Sequence, residues 1–260
     1  MTGIHVFLGP TLPREEAAAL LDATWLPPVA QGDVLRLCAE KPKAIGIIDG
    51  FFESVPSVWH KEILYAIHAG IPVFGASSMG ALRAAELYPF GMIGVGAIFE
   101  AFRDGRLEDD DEVAVVHGPA ELGYTALSEA MVNIRRTLSD AVADRVLAME
   151  TAFRLEAIAK ELPYRERGYG RMLRLAGDIG LPAAELSAFR TWLPQGRFDQ
   201  KRDDAKSMLR VMARRFGQSQ SKCQAHSRPS AAADAQAARF HFEHTILWDR
   251  ALRDAAPLAA

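Results

Sequence analysis

The first half of the chain alternates short apolar runs with stretches of helical character. The runs that predict β-strands lie at residues 4–8, 23–26, 44–48 and 72–76. The stretches that predict helices lie at residues 13–21, 31–40, 56–69 and 78–87. The run at 44–48 is apolar throughout, which is typical of a central strand buried on both faces. This alternation predicts an α/β fold, a Rossmann-like parallel sheet flanked by helices.

The β pattern ends before the middle of the chain. Residues 88–105 are glycine-rich and apolar, an acidic run follows at 108–112, and residues 113–116 are predicted to form the last strand. Beyond Tyr124, the stretches that predict helices lie at residues 126–161, 165–177, 182–192, 201–216 and 238–255. The sequence therefore predicts a second, all-helical region.

These patterns predict two domains, an α/β core at residues 1–125 and a helical region at residues 126–260. Within the second, Gln, Ser and Ala dominate residues 217–237, which indicates a flexible connection before the last helix. The charge changes at the same boundary. Residues 1–125 carry 17 acidic and 8 basic side chains, whereas residues 126–260 carry 16 and 22. The two regions are thus expected to have opposite net charge, −9 and +6.

Composition excludes several classes of protein. With 49% hydrophobic and 24% charged residues, the chain is neither disordered nor membrane-spanning. Its two cysteines, Cys38 and Cys223, are too few for a disulfide framework and lack the spacing of a zinc site. We therefore expect a cytoplasmic protein that is not exported and binds no metal.

A serine at the end of a predicted strand is the first candidate for chemistry. Residues 76–80 read Ala-Ser-Ser-Met-Gly, where small neighbours permit the sharp strand-to-helix turn of a nucleophile elbow. Ser78 is then the nucleophile, and the backbone N–H groups of Met79 and Gly80 are candidates for an oxyanion hole. The alternative is a helix N-cap, a common role for serine, which either Ser78 or Ser77 can fill.

A serine nucleophile needs a base. His60, Lys61 and Glu62 lie together in the preceding helix, but consecutive helical residues point about 100° apart, so at most two can face one pocket. Lys61 is one of three lysines before residue 126, and burial among its apolar neighbours would favour the neutral amine. The alternative roles are a solvated surface lysine and a structural histidine.

Other residues are weaker candidates for a catalytic or binding site. His117 could complete a Ser–Asp–His order with Asp110 or Asp111, and the acidic run at 108–112 is either a solvated loop or a cation site. The glycines of residues 91–96 do not join a first strand to its helix, so they do not predict a dinucleotide site. Nucleic acid is not expected as a partner, because acidic residues interrupt the basic cluster at 201–215 and aromatic residues are not interleaved.

Four blocks resemble the TfuA-like family. They read VFLGPTL at residues 6–12, IGIIDGFF at 45–52, VWHKEIL at 58–64 and ASSMGALRAAEL at 76–87. The resemblance covers about residues 4–138. It implies a partner of YcaO enzymes in backbone thioamidation, in which the YcaO protein activates the amide with ATP and Mg²⁺ while the TfuA-like protein has no cofactor of its own.

The resemblance also implies a reaction. A TfuA-like protein is expected to hydrolyse a thiocarboxylated ubiquitin-like sulfur carrier, to release sulfide beside the activated amide and to help recruit the precursor peptide. The implied Ser–Lys pair falls on Ser78 and Lys61, with Ser77 as a second possible nucleophile and with Asp49, His60 and Glu62 as possible supporting groups. The competing interpretations are a non-catalytic adaptor that docks or activates the YcaO protein and an unrelated small-molecule hydrolase.

Overall fold

The computed structural model describes residues 3–53, 55–217 and 242–255. Contacts divide them into two units. The sheet unit contains the described residues up to Arg106 and from Asp204 onward, and the helical unit is Leu107–Asp203. We predicted a single boundary between residues 125 and 126, so the observed division differs from that prediction. The predicted flexible stretch lies almost entirely outside the described residues.

The sheet unit contains five parallel strands in the order β2-β1-β3-β4-β5. Their bounds are β1 Ile4–Phe7, β2 Thr24–Leu26, β3 Ala44–Ile47, β4 Val73–Ala76 and β5 Ile93–Val95. The α/β, Rossmann-like prediction is confirmed. Because β2 lies on one side of β1 and the later strands lie on the other, the order reverses between β1 and β3, which is where open α/β sheets bind ligands.

The fifth strand differs from the prediction. It comes from the glycine-rich segment at 88–105, where an apolar stretch pairs with β4, and Phe99 covers Gly94 so closely that a Cβ there would clash with the ring. The strand predicted at 113–116 is wrong. A short 3₁₀ helix at Asp110–Glu112 leads into this segment, and Val113 and Ala114 are buried without belonging to a strand.

Five helices lie between and after the strands: α1 Arg14–Ala18, α2 Asp33–Cys38, α3 His60–His68, α4 Met79–Leu87 and α5 Ala97–Arg103. The helical unit contains α6 Met131–Ala143, α7 Met149–Glu161, α8 Tyr169–Asp178 and α9 Ala183–Gly196. We predicted one helix over 126–161. The chain turns instead at Arg145, which adopts a left-handed conformation (φ 60°) although no glycine marks the break.

The last two helices that the structure describes are α10 Gln200–Phe216 and α11 Ile246–Ala255. From Asp204 onward α10 belongs to the sheet unit, where Ala205, Met208, Leu209 and Met212 are fully buried in the core of the sheet. Gly46 of β3 permits this packing, since a Cβ there would lie 3.1 Å from both methionine side chains. None of the described helices is both long enough and apolar enough to cross a membrane.

Candidate active site at the carboxyl edge of the sheet

The carboxyl ends of β1, β3 and β4 bring polar residues together. These strands are neighbours in the sheet, and each is followed within a few residues by a buried polar side chain: Thr11, Asp49 and Ser77. Their relative exposures are 7%, 1% and 0%. A buried polar cluster at this edge is where an α/β sheet is expected to hold its ligand.

The connection from β4 to α4 has the geometry of an elbow. The strand ends at Ala76 and the helix begins at Met79. Between them, Ser77 has a φ of 70°, and the Ser78 amide donates to the Ala76 carbonyl at 2.9 Å, which closes a three-residue γ-turn. Such a turn at a non-glycine residue is strained, and strain of this kind is concentrated at functional sites. By backbone conformation, Ser77 occupies the elbow position.

Two glycines make the elbow possible. A Cβ on Gly80 would collide with the Ile47 carbonyl of β3, and a Cβ on Gly75 would collide with the Gly80 carbonyl. The first turn of α4 therefore packs directly on the backbone of the two central strands. This contact fixes the turn that presents the two serines.

Ser77 lies at the end of a buried chain of hydrogen bonds. Its Oγ donates to Thr11 Oγ1 at 3.5 Å, and Thr11 Oγ1 donates to Asp49 Oδ1 at 2.6 Å. The other carboxylate oxygen of Asp49 accepts the backbone amides of Gly9 at 2.9 Å and Thr11 at 3.1 Å. Asp49 was predicted as a supporting residue, and the structure joins it to Ser77 through Thr11.

Ser78 has different surroundings. It occupies the N-cap position of α4, yet its side chain makes no capping hydrogen bond, and its Oγ has no hydrogen-bond partner among the described residues. With a relative exposure of 9%, it is also the less buried of the two serines. The structure thus presents one hydrogen-bonded hydroxyl in the elbow and one free hydroxyl beside it.

The predicted oxyanion donors are not equivalent. The Gly80 amide donates to the carbonyl of Ile48, the residue after β3, at 3.2 Å, so it is not available to an oxyanion in this conformation. The Met79 amide, in the first turn of α4, makes no backbone hydrogen bond within the described chain. Of the two, Met79 remains the candidate oxyanion donor.

Lys61 contacts the segment 242–248. Its Nζ donates to Thr245 Oγ1 at 3.3 Å and lies 5.4 Å and 5.7 Å from the ring centroids of Phe242 and Trp248. Aromatic rings at such distances stabilise the charged ammonium. Within the described residues it makes no hydrogen bond to Ser77 or Ser78, so the predicted Ser–Lys pair is not assembled in this conformation.

His60, which precedes Lys61, forms a hydrogen bond between two helices. His60 Nε2 is 2.7 Å from Glu86 Oε2 on α4, and Arg83 also bonds that carboxylate. Burial would raise the pKa of Glu86, but the bonds from His60 and Arg83 outweigh burial and hold the pKa below its usual value. His60 thus joins α3 to α4, and among the described residues it makes no hydrogen bond to either elbow serine.

Glu62 is buried beneath the N-terminal ends of two helices. Its carboxylate accepts backbone amides from Gly32 at 2.7 Å, Trp59 at 3.3 Å and Leu35 at 3.3 Å. Burial raises the pKa of Glu62 despite these three donors. It stabilises α2 and α3 rather than orienting a catalytic group, and burial likewise raises the pKa of the Cys38 thiol to about 12, which keeps it unreactive.

A lysine of the helical unit forms ion pairs with the acidic run at 108–112. Asp109, Asp111 and Glu112 lie close enough to share a cation, and the ammonium of Lys160 contacts all three. The fully buried guanidinium of Arg167 also bonds Asp111. A lysine side chain therefore fills the position that the sequence offered as a possible cation site.

His117 lies in the helical unit, where its Nδ1 is 2.8 Å from the Gly118 carbonyl and its ring packs edge-on against Tyr124. The Ser–Asp–His order with Asp110 or Asp111 stays a prediction.

A comparison with models of protein families relates part of the chain to a known family. The model of the family described as TfuA-like protein matches residues 49–168. This region belongs to the TfuA-like family. The match confirms the resemblance seen in the sequence, although it begins after the block at 6–12 and continues beyond residue 138. A search of curated proteins finds no match to the chain.

The TfuA-like family is associated with YcaO-dependent thioamidation, so the match implies association with a YcaO protein. The matched region includes Asp49, Lys61 and both elbow serines, and it extends well into the helical unit. Thr11 lies outside it. Sequence reasoning missed Thr11 as a site residue, and the available signal was its place in Gly-Pro-Thr directly after the first strand.

Proposed function

We propose that the chain supplies sulfide to a YcaO enzyme by hydrolysing a thiocarboxylated ubiquitin-like sulfur carrier. The elbow between β4 and α4 carries this proposal. A serine hydroxyl beside a helix N-terminus, at the carboxyl edge of a parallel sheet, is the arrangement that acyl-transfer enzymes use for a nucleophile.

The proposed reaction has two stages. The elbow serine attacks the thiocarboxylate carbonyl, sulfide leaves, and water then hydrolyses the acyl-serine and releases the carrier. The Met79 amide stabilises the oxyanion. Because both serines are buried, binding of the carrier must open this edge. The released sulfide reaches the peptide amide that the YcaO protein activates with ATP, and the chain helps to recruit the peptide.

In this scheme, Lys61 can act as a base only after its present contacts are broken. To act as the base for Ser78, its amine has to leave Thr245 and the aromatic rings of Phe242 and Trp248. Hydrolysis with Lys61 as the base therefore requires movement of the segment 242–248 when the partners assemble.

A second candidate function is a non-catalytic adaptor that docks or activates the YcaO protein. The observation in its favour is the engagement of Lys61 by the chain's own C-terminal segment rather than by a serine. An adaptor needs neither serine hydroxyl.

Reconstitution separates the two functions. The chain is combined with its YcaO partner, ATP, Mg²⁺, precursor peptide and thiocarboxylated carrier, and the peptide is weighed for an exchange of oxygen for sulfur. The test variant carries both Ser77→Ala and Ser78→Ala. A hydrolase predicts that this variant makes no thioamide from the carrier but recovers the product when inorganic sulfide replaces it. An unchanged yield from the carrier would overturn the hydrolase and support the adaptor.

A further inference from the structure

The hydrogen-bond chain from Ser77 has a direction. Ser77 Oγ donates to Thr11 Oγ1, and the Thr11 hydroxyl donates in turn to Asp49 Oδ1. All three residues are buried, so water does not compete for these bonds. These bonds connect the serine hydroxyl to a carboxylate, and the 3.5 Å Ser77–Thr11 step has to shorten for a proton to pass along them.

The two oxygens of Asp49 have separate partners. Oδ2 accepts the Gly9 and Thr11 amides, which hold the loop after β1, whereas Oδ1 accepts the Thr11 hydroxyl. Backbone anchoring and hydroxyl contact are thus divided between the oxygens. Oδ1 can accept a proton while Oδ2 keeps the carboxylate in place.

We propose that Ser77 is the nucleophile and that Thr11 relays its proton to Asp49. The inference rests on the proposed hydrolysis and identifies the groups that carry it out. Ser77 also has the backbone conformation of the elbow, whereas Ser78 lies one residue later at the helix N-cap. On this account Ser77, Thr11 and Asp49 move the proton, and Lys61 is not the base for the attack.

Bonds and protons balance in both stages of the proposed hydrolysis, the attack on the carrier and the release of the acyl-serine. Ser77 Oγ forms a bond to the thiocarboxylate carbon while its proton passes to Thr11 Oγ1 and the Thr11 proton passes to Asp49 Oδ1. The C–S bond breaks, and the departing sulfide takes the proton back along the relay and leaves as HS⁻. Water then attacks the acyl-serine, one proton restores the Ser77 hydroxyl, and the carrier leaves as a carboxylate with release of the other proton.

A structural role for Asp49 is the competing explanation, because it also anchors the loop through Gly9 and Thr11. Substitution of Thr11 separates the two roles. Thr11→Val replaces the hydroxyl by a methyl group of similar size and keeps the backbone amide that bonds Asp49. Thr11→Ser keeps the hydroxyl and loses only a methyl group.

The experiment measures steady-state sulfide release from the thiocarboxylated carrier by the full chain with its YcaO partner. Thr11→Val is expected to lower kcat by roughly 10²- to 10³-fold with little change in KM, because a proton-transfer step is removed while carrier binding is kept. Thr11→Ser is expected to recover most of that loss. The matched control is Thr151→Val, another buried threonine, which lies in α7 and is expected to retain wild-type kcat.

The outcomes distinguish the relay from the hydrolysis. Wild-type kcat in folded Thr11→Val, or a larger loss in Ser78→Ala than in Ser77→Ala, overturns the relay and leaves the hydrolase intact. A raised KM with unchanged kcat assigns Thr11 to binding and also overturns it. If the wild-type chain releases no sulfide, the proposed function and the relay fail together.

Discussion

Glu62 shows how one carboxylate can resemble a catalytic group and yet stabilise the fold. It follows Lys61 directly in sequence, but its oxygens accept amides from the N-terminal ends of α2 and α3. Burial raises its pKa above the ordinary value. A group whose pKa is raised by folding contributes stability that is present below the unfolded-state pKa and lost as pH rises through the folded-state pKa.

Glu62→Gln therefore alters the pH dependence of stability. At pH 4 the variant is expected to be less stable by about 1 kcal/mol, because one amide acceptor is replaced by a donor. The difference from wild type shrinks as pH rises towards 7, since only the wild-type protein must bury a charge. Urea unfolding across this range measures the effect, with exposed Glu161→Gln as the control. A difference that grows with pH would contradict the assignment.

At the same scale, the sequence identified the serines, Asp49 and Lys61 as candidates by residue type and strand position. It could not identify Thr11 as the link between Ser77 and Asp49, because a contact between residues 38 positions apart depends on strand order rather than local pattern. It also could not show that the Gly80 amide bonds Ile48, since that bond depends on how closely α4 approaches β3.

Among the elements, α10 shows why the predicted domain boundary differs from the observed one. Its first turn is polar, but Asp204 is almost fully buried and caps another helix, accepting the amides of Ala97 at 3.1 Å and Ile98 at 2.8 Å. This capping and the methionines further along α10 attach the helix to the sheet unit. Helical composition alone does not reveal such a long-range contact.

Asp204→Ala leaves both amides at the start of α5 without their acceptor. The free energy of unfolding is expected to fall by about 2 kcal/mol or more, given about 1–3 kcal/mol for each unsatisfied donor. Urea denaturation measures this loss. The neighbouring Asp203 is exposed, so Asp203→Ala is the matched control and is expected to change stability by less than about 0.5 kcal/mol. Equal effects in the two variants would contradict the capping role.

The attachment of α11 depends on one side chain. Trp248 is 1% exposed and packs against Tyr65 and Phe242 at centroid distances of 5.3 Å and 5.2 Å, which positions the segment that holds Lys61. Trp248→Ala is expected to weaken docking of α11 by about 3 kcal/mol or more. Hydrogen exchange over residues 246–255 should therefore accelerate.

Leu247 is the control for this experiment, because it is adjacent in α11 and 70% exposed. Leu247→Ala is expected to leave exchange near the wild-type rate, apart from local effects of the substitution. If both variants exchange alike, packing of Trp248 is not what attaches the segment.

For the molecule as a whole, periodicity and apolar runs predicted the parallel sheet because the first four strands lie in βα units and are mostly apolar. They did not predict β5, whose short Ile-Gly-Val sequence has only a weak strand signal, or the two-helix form of 126–161, whose turn occurs at an arginine. The division of the chain into two units follows from long-range packing. Neither the charge pattern nor helix propensity can predict such packing.

The central claim is that the elbow serine forms a covalent bond with the carrier during sulfide release. Acid quench of the chain with its YcaO partner and thiocarboxylated carrier, followed by peptide mass spectrometry, tests it directly. The account predicts a carrier acyl group esterified to Ser77 and its loss in Ser77→Ala. Sulfide released at the wild-type rate without an acyl group on any serine would contradict it.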